Sequence, residues 1–137
     1  MKGFQSVKQY GPVAGRTMLA MIFLISGYAK IGNFAGTAGY MAAKGIPLAE
    51  FALVLTIIIE IAGGLMLAIG WRTRWAALVL FLFLIPATLI FHNFWAADAA
   101  QFQNQLNHFL KNVCILGGML YVMAFGSGPL SLDKDDA

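Results

Sequence analysis

Four long apolar runs constrain this chain more than any other feature. They extend from about Pro12 to Ile31, Pro47 to Gly70, Trp75 to Trp95 and Phe109 to Phe125. A helix needs about 17–25 apolar residues to cross the ~30 Å hydrocarbon core of a bilayer. The runs are continuous, whereas the strands of a membrane barrel alternate apolar and polar positions over about ten residues, so helices are expected. The composition agrees: 60% of the residues are hydrophobic and only 11% charged, too few for the polar surface of a soluble domain of 137 residues. The connections are too short to hold anything separate. The expected fold is therefore all-α, a single four-transmembrane-helix bundle over residues 1–137. Lys2 and Lys8 precede an apolar core from Met18 to Ile25, which would also suit a signal peptide, but no clear small-residue cleavage site follows.

Charge sets the expected orientation. Lys2, Lys8 and Arg16 lie at the start, Arg72 and Arg74 in the short turn between the second and third runs, and Lys134 in the tail. The connection from Ala96 to Gln105 carries only Asp98. These counts place both termini inside, an N-in/C-in topology, although Lys30 and Lys44 in the first outer connection argue mildly the other way. Trp71 and Trp75 bracket the inner turn, and Phe94 and Trp95 mark the outer end of the third run. The net charge of +3 is spread over the loops, with no basic run interleaved with aromatics. It favours anionic lipid headgroups over nucleic acid as partners.

Against this background Glu60 stands out, since nothing else from Leu53 to Ile69 is ionisable. A charged side chain at membrane depth costs roughly 2.5–3.5 kcal/mol on insertion scales and usually faces a protein interior or a wet cavity. Three other helices bring polar groups to the outer half: Lys30 ends the first run, His92 and Asn93 end the third, and His108, Lys111 and Asn112 begin the fourth. Glu60, Lys30, His92, Lys111 and Asn112 are thus candidate ligand-binding residues. Arg16 from the inner side and Lys111 from the outer are the candidate ion-pair partners of Glu60. Each has a plainer reading: Lys30 can snorkel to the headgroups, His92 can be interfacial, Arg16 can be an anchor, and Glu60 can make a structural interhelical hydrogen bond.

The segments 32–46 and 96–108 are long enough to fold over the outer face, either capping a cavity or lying among headgroups. Gly36, Gly39 and Gly45 make the first look irregular. Phe102, Leu106 and Phe109 suggest a short amphipathic helix leading into the last run. Gly63 and Gly64 after Glu60, and Gly117 and Gly118 after Lys111, allow close helix contact. Pro86 removes a backbone bond from the third helix and predicts a kink or a freed carbonyl near Leu82. Cys114, the only cysteine, excludes an intramolecular disulfide or a cysteine-pair redox centre, and is expected to be a small packing residue.

The sequence resembles the DoxX family of small bacterial membrane proteins. The likeness rests on Arg16, on FLISGYAKIG with Gly27 and Lys30, and on EIAGGLMLAIGWRTR from Glu60 to Arg74. It continues through His92 with Phe94, FLKNVCILGGMLY from Phe109 to Tyr121 and GSGPLSLD from Gly126 to Asp133. That resemblance implies four membrane helices, a multi-pass place in a bacterial inner membrane, and a redox association: a quinone-linked oxidising subunit or a membrane partner in redox-stress complexes.

Three classes of function follow. The bundle binds a quinone or similar lipophile, with Lys30, His92 or Lys111 on its oxygens and Glu60 relaying protons. Alternatively it is a structural or assembly subunit, holding a redox-protein partner. The third class is transport of a small solute or proton, which in four short helices without a repeat calls for a homo-oligomer. With His92 and His108 as the only histidines and no CxxC or glycine-rich nucleotide loop, neither a metal nor a haem site is expected, and neither is stand-alone catalysis.

Overall fold

The computed structural model describes residues 3–134; Lys2, counted above among the inner charges, lies outside them. Five α-helices make up the fold: α1 (Gly3–Gly32), α2 (Phe34–Ala43), α3 (Ala49–Ile69), α4 (Thr73–Phe91) and α5 (Ala99–Phe125), with a single 3-10 turn at Phe94–Ala96. Four of them, α1, α3, α4 and α5, are long and apolar enough to cross a membrane. Among the described residues there is no strand. The protein is an all-α, four-span bundle.

Helix ends depart from the apolar runs where polar residues also favour helix. α1 begins nine residues before Pro12, because a stretch such as SVKQY is helical without being apolar. α5 begins at Ala99 rather than near Phe109, with Asp98 accepting a hydrogen bond from the Gln101 amide at 2.9 Å as its N-cap. At 1.5 Å per residue its 27 residues span about 40 Å, so the first turns project beyond the hydrocarbon core. The expected short amphipathic helix is simply this first part of α5. The segment 32–46 is not irregular either. Ten of its residues form α2, whose Ala38 and Met41 pack with Leu53 of α3 in a second apolar cluster that also takes in Phe34, Ile46 and Phe91. Gly45, with a positive φ of 83°, turns the chain back toward α3.

The main core, built from Ala20, Phe23, Leu67, Ala77, Leu80, Leu84 and Met119, draws on all four spanning helices. α1 packs chiefly on α3, α3 on α4, and α4 on α5, while α1 and α5 scarcely meet. α4 runs through Pro86 without a break. Large apolar side chains such as Met18, Ile25, Phe51, Leu82 and Leu120 point outward. In lipid this outward face costs nothing, and the helices are held by close packing and interhelical polar contacts instead. Cys114 is on this outer face, not in the packing expected for it. α5 turns mostly outward, with Met119 its one buried residue.

The end of the bundle that carries the α3–α4 turn is closed by the C-terminal tail. The Leu132 and Asp133 amides donate to the carbonyls of Ile69 and Gly70, at 3.2 and 2.7 Å, which tidies the end of α3. The Asp133 carboxylate accepts from the amides of Arg72 and Thr73, at 2.6 and 2.8 Å, and from the Thr73 hydroxyl at 2.6 Å. It thus caps α4 from sixty residues away, where negative charge is favoured by the helix dipole. Arg16 of α1 holds the tail from below, donating to the carbonyls of Ala68 (3.2 Å), Ser127 (2.8 Å) and Leu130. Partial burial pushes the Asp133 carboxyl up, but the Thr73 and Arg72 hydrogen bonds and the Arg16 charge outweigh it and hold the group below the usual carboxylate range. Gly70 is needed here twice: its φ is 71°, and a Cβ would strike Ser131. Arg16 is therefore a structural residue of this end. It does not pair with Glu60.

Candidate functional site

At the end of the bundle away from the C-terminal tail, the four spanning helices and α2 enclose a cavity of about 350 Å³. Its walls are mainly apolar, with Ile22 and Phe23 from α1, Met41 from α2, Phe83, Leu84 and Phe91 from α4, and Ile115 from α5. Polar groups gather at two places. One is the set Ser26, Lys30 and Glu60; the other is His92, His108 and Asn112; Thr37, Tyr40 and Thr56 also belong to the lining.

The first set is an ion pair in an apolar wall. Lys30 does not reach out to the headgroups. Its ammonium turns back one helical turn, 2.5 Å from the Ser26 hydroxyl, and bridges the Glu60 carboxylate at 3.1 Å from Oε1 and 3.0 Å from Oε2. The Ser26 hydroxyl donates to Oε1 at 3.1 Å. Such pairing follows from helix geometry, since side chains tilt toward the helix N-terminus and residues four apart share a face. Glu60 is only 4% exposed. Its Oε2 has the ammonium nearby, but no described group donates to it in hydrogen-bond geometry. The ammonium contact at Oε2 is therefore an electrostatic one, to an oxygen that is itself buried.

Gly27 makes this pair possible. A Cβ at that position would lie 2.8 Å from Ile61 Cδ1 and 3.2 Å from Glu60 Cβ, so only glycine lets α1 come this close to α3 between Ser26 and Lys30.

The second set lies where α4 ends and α5 runs alongside it. The rings of His92 and His108 stack, with centroids 5.0 Å apart and planes 19° from parallel. His92 Nδ1 lies 3.1 Å from Gln105 Oε1. Since that oxygen can only accept, Nδ1 carries the proton, and in the neutral ring Nε2 is left as an acceptor. Deeper down, Asn112 Nδ2 donates to Thr88 Oγ1 at 3.0 Å, and Thr88 donates to the Leu84 carbonyl at 2.6 Å. Edge-to-face contacts of Phe94 with Trp95, Phe102 and Phe109, with centroids 5.1 to 5.8 Å apart, fix the register of α5 against the end of α4.

Of the residues singled out in the sequence, Glu60, Lys30, His92 and Asn112 line this one cavity. Lys111 does not; it faces outward on α5, one residue round from Asn112, and cannot be the partner of Glu60. Ser26, His108, Thr88 and Gln105 were missed as members of the site. His108 stands in the sequence among the polar residues that converge with Asn112 without being a named candidate, and the pairing of Ser26 with Lys30 is legible as an i, i+4 relation. α2 contributes Thr37, Tyr40 and Met41 to the lining, so it caps the cavity rather than resting apart from it. Among the described residues no group of three or more histidine, cysteine, aspartate or glutamate side chains converges as a metal site would require.

Comparison with known proteins places these features in a lineage. The profile of the DoxX family matches residues 11–93. The chain is 34% identical over 130 residues to the inner membrane protein YqjF of Escherichia coli, covering 95% of each chain. It is 29% identical over 119 residues to the inner membrane protein YphA of the same organism, covering 87% of this chain and 85% of that one. A more distant likeness, 28% over 127 residues, is to the ER-derived vesicles protein ERV29 of Saccharomyces cerevisiae, of which the chain covers about 34%. No solved structure matches.

Proposed function

This chain belongs to the DoxX family and is a multi-pass inner-membrane protein, and we propose that its outer-half cavity binds a quinone or a similar ring-headed lipophile in support of membrane redox metabolism. The observation that carries the reading is the buried Lys30–Glu60 pair, set in the wall of a cavity whose remaining lining is chiefly apolar and aromatic. A membrane protein keeps a charged pair at depth where it serves a bound molecule or a proton path. A pocket of this size with a few convergent polar groups suits a small ligand. Phe23, Phe83 and Phe91 would flank a ring, while the Ser26–Lys30–Glu60 set and the His92–His108–Asn112 set would meet polar atoms on its edges.

Within this reading a quinone, when bound, supplies the electron chemistry. The chain's own residues bind, orient and shield the ring, and the Glu60 carboxylate and His92 Nε2 are the groups that would take up protons at its edges. Electrons pass to or from a redox-protein partner. In this reading both termini face the cytoplasm, which is supported by Lys8, Arg16, Arg72, Arg74 and Lys134 at the end closed by the tail. The cavity then opens toward the outer leaflet.

The test is native mass spectrometry with solvent extraction of the purified full chain, comparing wild type with Glu60→Gln and His92→Ala. A small lipophile that copurifies with wild type and falls at least about tenfold in both variants supports the reading. Only ordinary phospholipid in all three would overturn it.

A further inference from the structure

We propose that the cavity takes a ligand whose polar ring sits inside while a long hydrocarbon chain stays outside in the lipid, leaving through a side opening between α1 and α5. The proposal rests on the reading of the cavity as a lipophile site and adds to it the class of lipophile and its route of entry.

The opening follows from how the helices pack. α1 lies against α3 and α5 against α4, but α1 and α5 scarcely meet, and α2 does not pack on α5. Where α1 and α5 do approach, at Leu19 and Gly118, there is no room for a further side chain: a Cβ on the glycine would lie 2.9 Å from Leu19 Cδ2. One turn further from the tail, Ile22 of α1 and Ile115 of α5 both line the cavity. Ile22 is 51% exposed all the same, so it stands on a rim and not in a closed wall. The residues that α5 turns to the cavity, His108, Asn112 and Ile115, are half-buried throughout. In a sealed cavity they would be covered as Phe23 is, at 3%.

Depth decides what the gap opens onto. Ser26 hydrogen-bonds Glu60, which lies near the middle of α3, and Ile22 is one helical turn from Ser26. The opening is thus at hydrocarbon depth, and the neighbouring outward residues Met18 and Ile25 are apolar. A chain that passes through it exchanges one hydrocarbon surrounding for another, at almost no cost. The polar groups of the cavity meet only the ring. The ring is therefore recognised, whereas the chain is merely accommodated. Size makes the same point. A methylene group needs about the room of a liquid water molecule, roughly 30 Å³, so a chain of about fifteen carbons outgrows the cavity of about 350 Å³ even without its ring. Such a ligand fits only where the wall is open.

The experiment compares two ligands on the wild-type full chain in lipid nanodiscs: a benzoquinone bearing one methyl group, and the same ring bearing a chain of about fifteen carbons. Concentrations are expressed as mole fractions in the lipid. Affinities within about fivefold of each other are expected, because the chain keeps its surroundings on binding. A long-chain form that binds more weakly than that, or not at all, would show a closed cavity and overturn the proposal while leaving the quinone reading in place. One that binds more tightly than that would overturn it as well, since the chain would then be held by the protein. Failure of both forms to bind would overturn both readings. Ile22→Trp, a bulky group on the rim, should weaken the long-chain form at least about fivefold more than the methyl form. An equal effect on the two would overturn the route beside Ile22. If that variant does not assemble, the wild-type comparison decides alone.

Discussion

Glu60 is stable at its depth only because Lys30 and Ser26 meet it, and each of the three depends on the others. Replacing Lys30 by Met leaves a carboxylate in an apolar wall, which by analogy with other buried pairs costs about 3–5 kcal/mol. The double variant Lys30→Met/Glu60→Leu removes both charges and should recover most of that loss. A double-mutant cycle by unfolding in detergent checks this, and strict additivity would show that the two side chains do not interact. Gly27 belongs to the same argument. Gly27→Leu wedges α1 away from α3 at the pair and should destabilise the bundle by about 1–3 kcal/mol, with loss of any copurifying ligand. The sequence made Glu60 conspicuous but misjudged its partner. Arg16 and Lys111 were chosen by depth along the helices, and depth is a poor guide when a lysine can fold back a full turn. The i, i+4 relation of Ser26 and Lys30 and Gly27 between them carry the information.

Among the elements, the tail and α2 are the two that hydropathy could not foresee. Neither spans the membrane, and both work by filling the ends of helices that do. The tail's hold on α4 is an electrostatic device with a definite pH response. The folded Asp133 carboxyl lies below its ordinary range. Its contribution is therefore complete above the unfolded value of about 3.9 and is lost as pH falls through the lower folded value. Hydrogen exchange at the Arg72 and Thr73 amides should be slow from pH 5 upward, once corrected for the intrinsic rate, and should lose protection in stronger acid. Asp133→Ala should remove that acid step and cost about 1 kcal/mol, as loss of a helix cap does. An unchanged acid profile in the variant would refute this role. The GSGPLSLD segment was recognisable in the sequence only as part of a resemblance, because its work is done through backbone carbonyls and one carboxylate, which composition does not reveal. α2 hid for a different reason: its glycines suggested a loop, but burial of Ala38 and Met41 against Leu53 overrides that local preference.

For the whole molecule, the number and nature of the spans were legible because the cost of unsatisfied backbone in lipid leaves few alternatives to helices. The boundaries were less so, since helix continues into polar residues at the start of α1 and α5. The cavity itself could not be read from the runs. It arises because α2 covers its opening and because α4 and α5 bring His92 and His108 together, contacts between residues distant in sequence. At this scale the account expects both termini on the cytoplasmic side. A reporter fused to the C-terminus should be active if it requires the cytoplasm, as a fluorescent protein does, and inactive if it requires the periplasm, as alkaline phosphatase does. The reverse pattern would place the cavity on the cytoplasmic face.

The central claim, that the cavity lined by Glu60, His92 and Asn112 is a ligand site, is tested most directly by photolabelling the purified full chain in nanodiscs with a diazirine-bearing quinone and mapping the modified residues by mass spectrometry. The account predicts labels concentrated at Ile22 to Lys30 of α1, Phe83 to His92 of α4 and His108 to Ile115 of α5, all suppressed by excess unlabelled quinone. Labels confined to outward residues such as Met18, Leu82 or Leu120, or labels that excess quinone does not suppress, would contradict it.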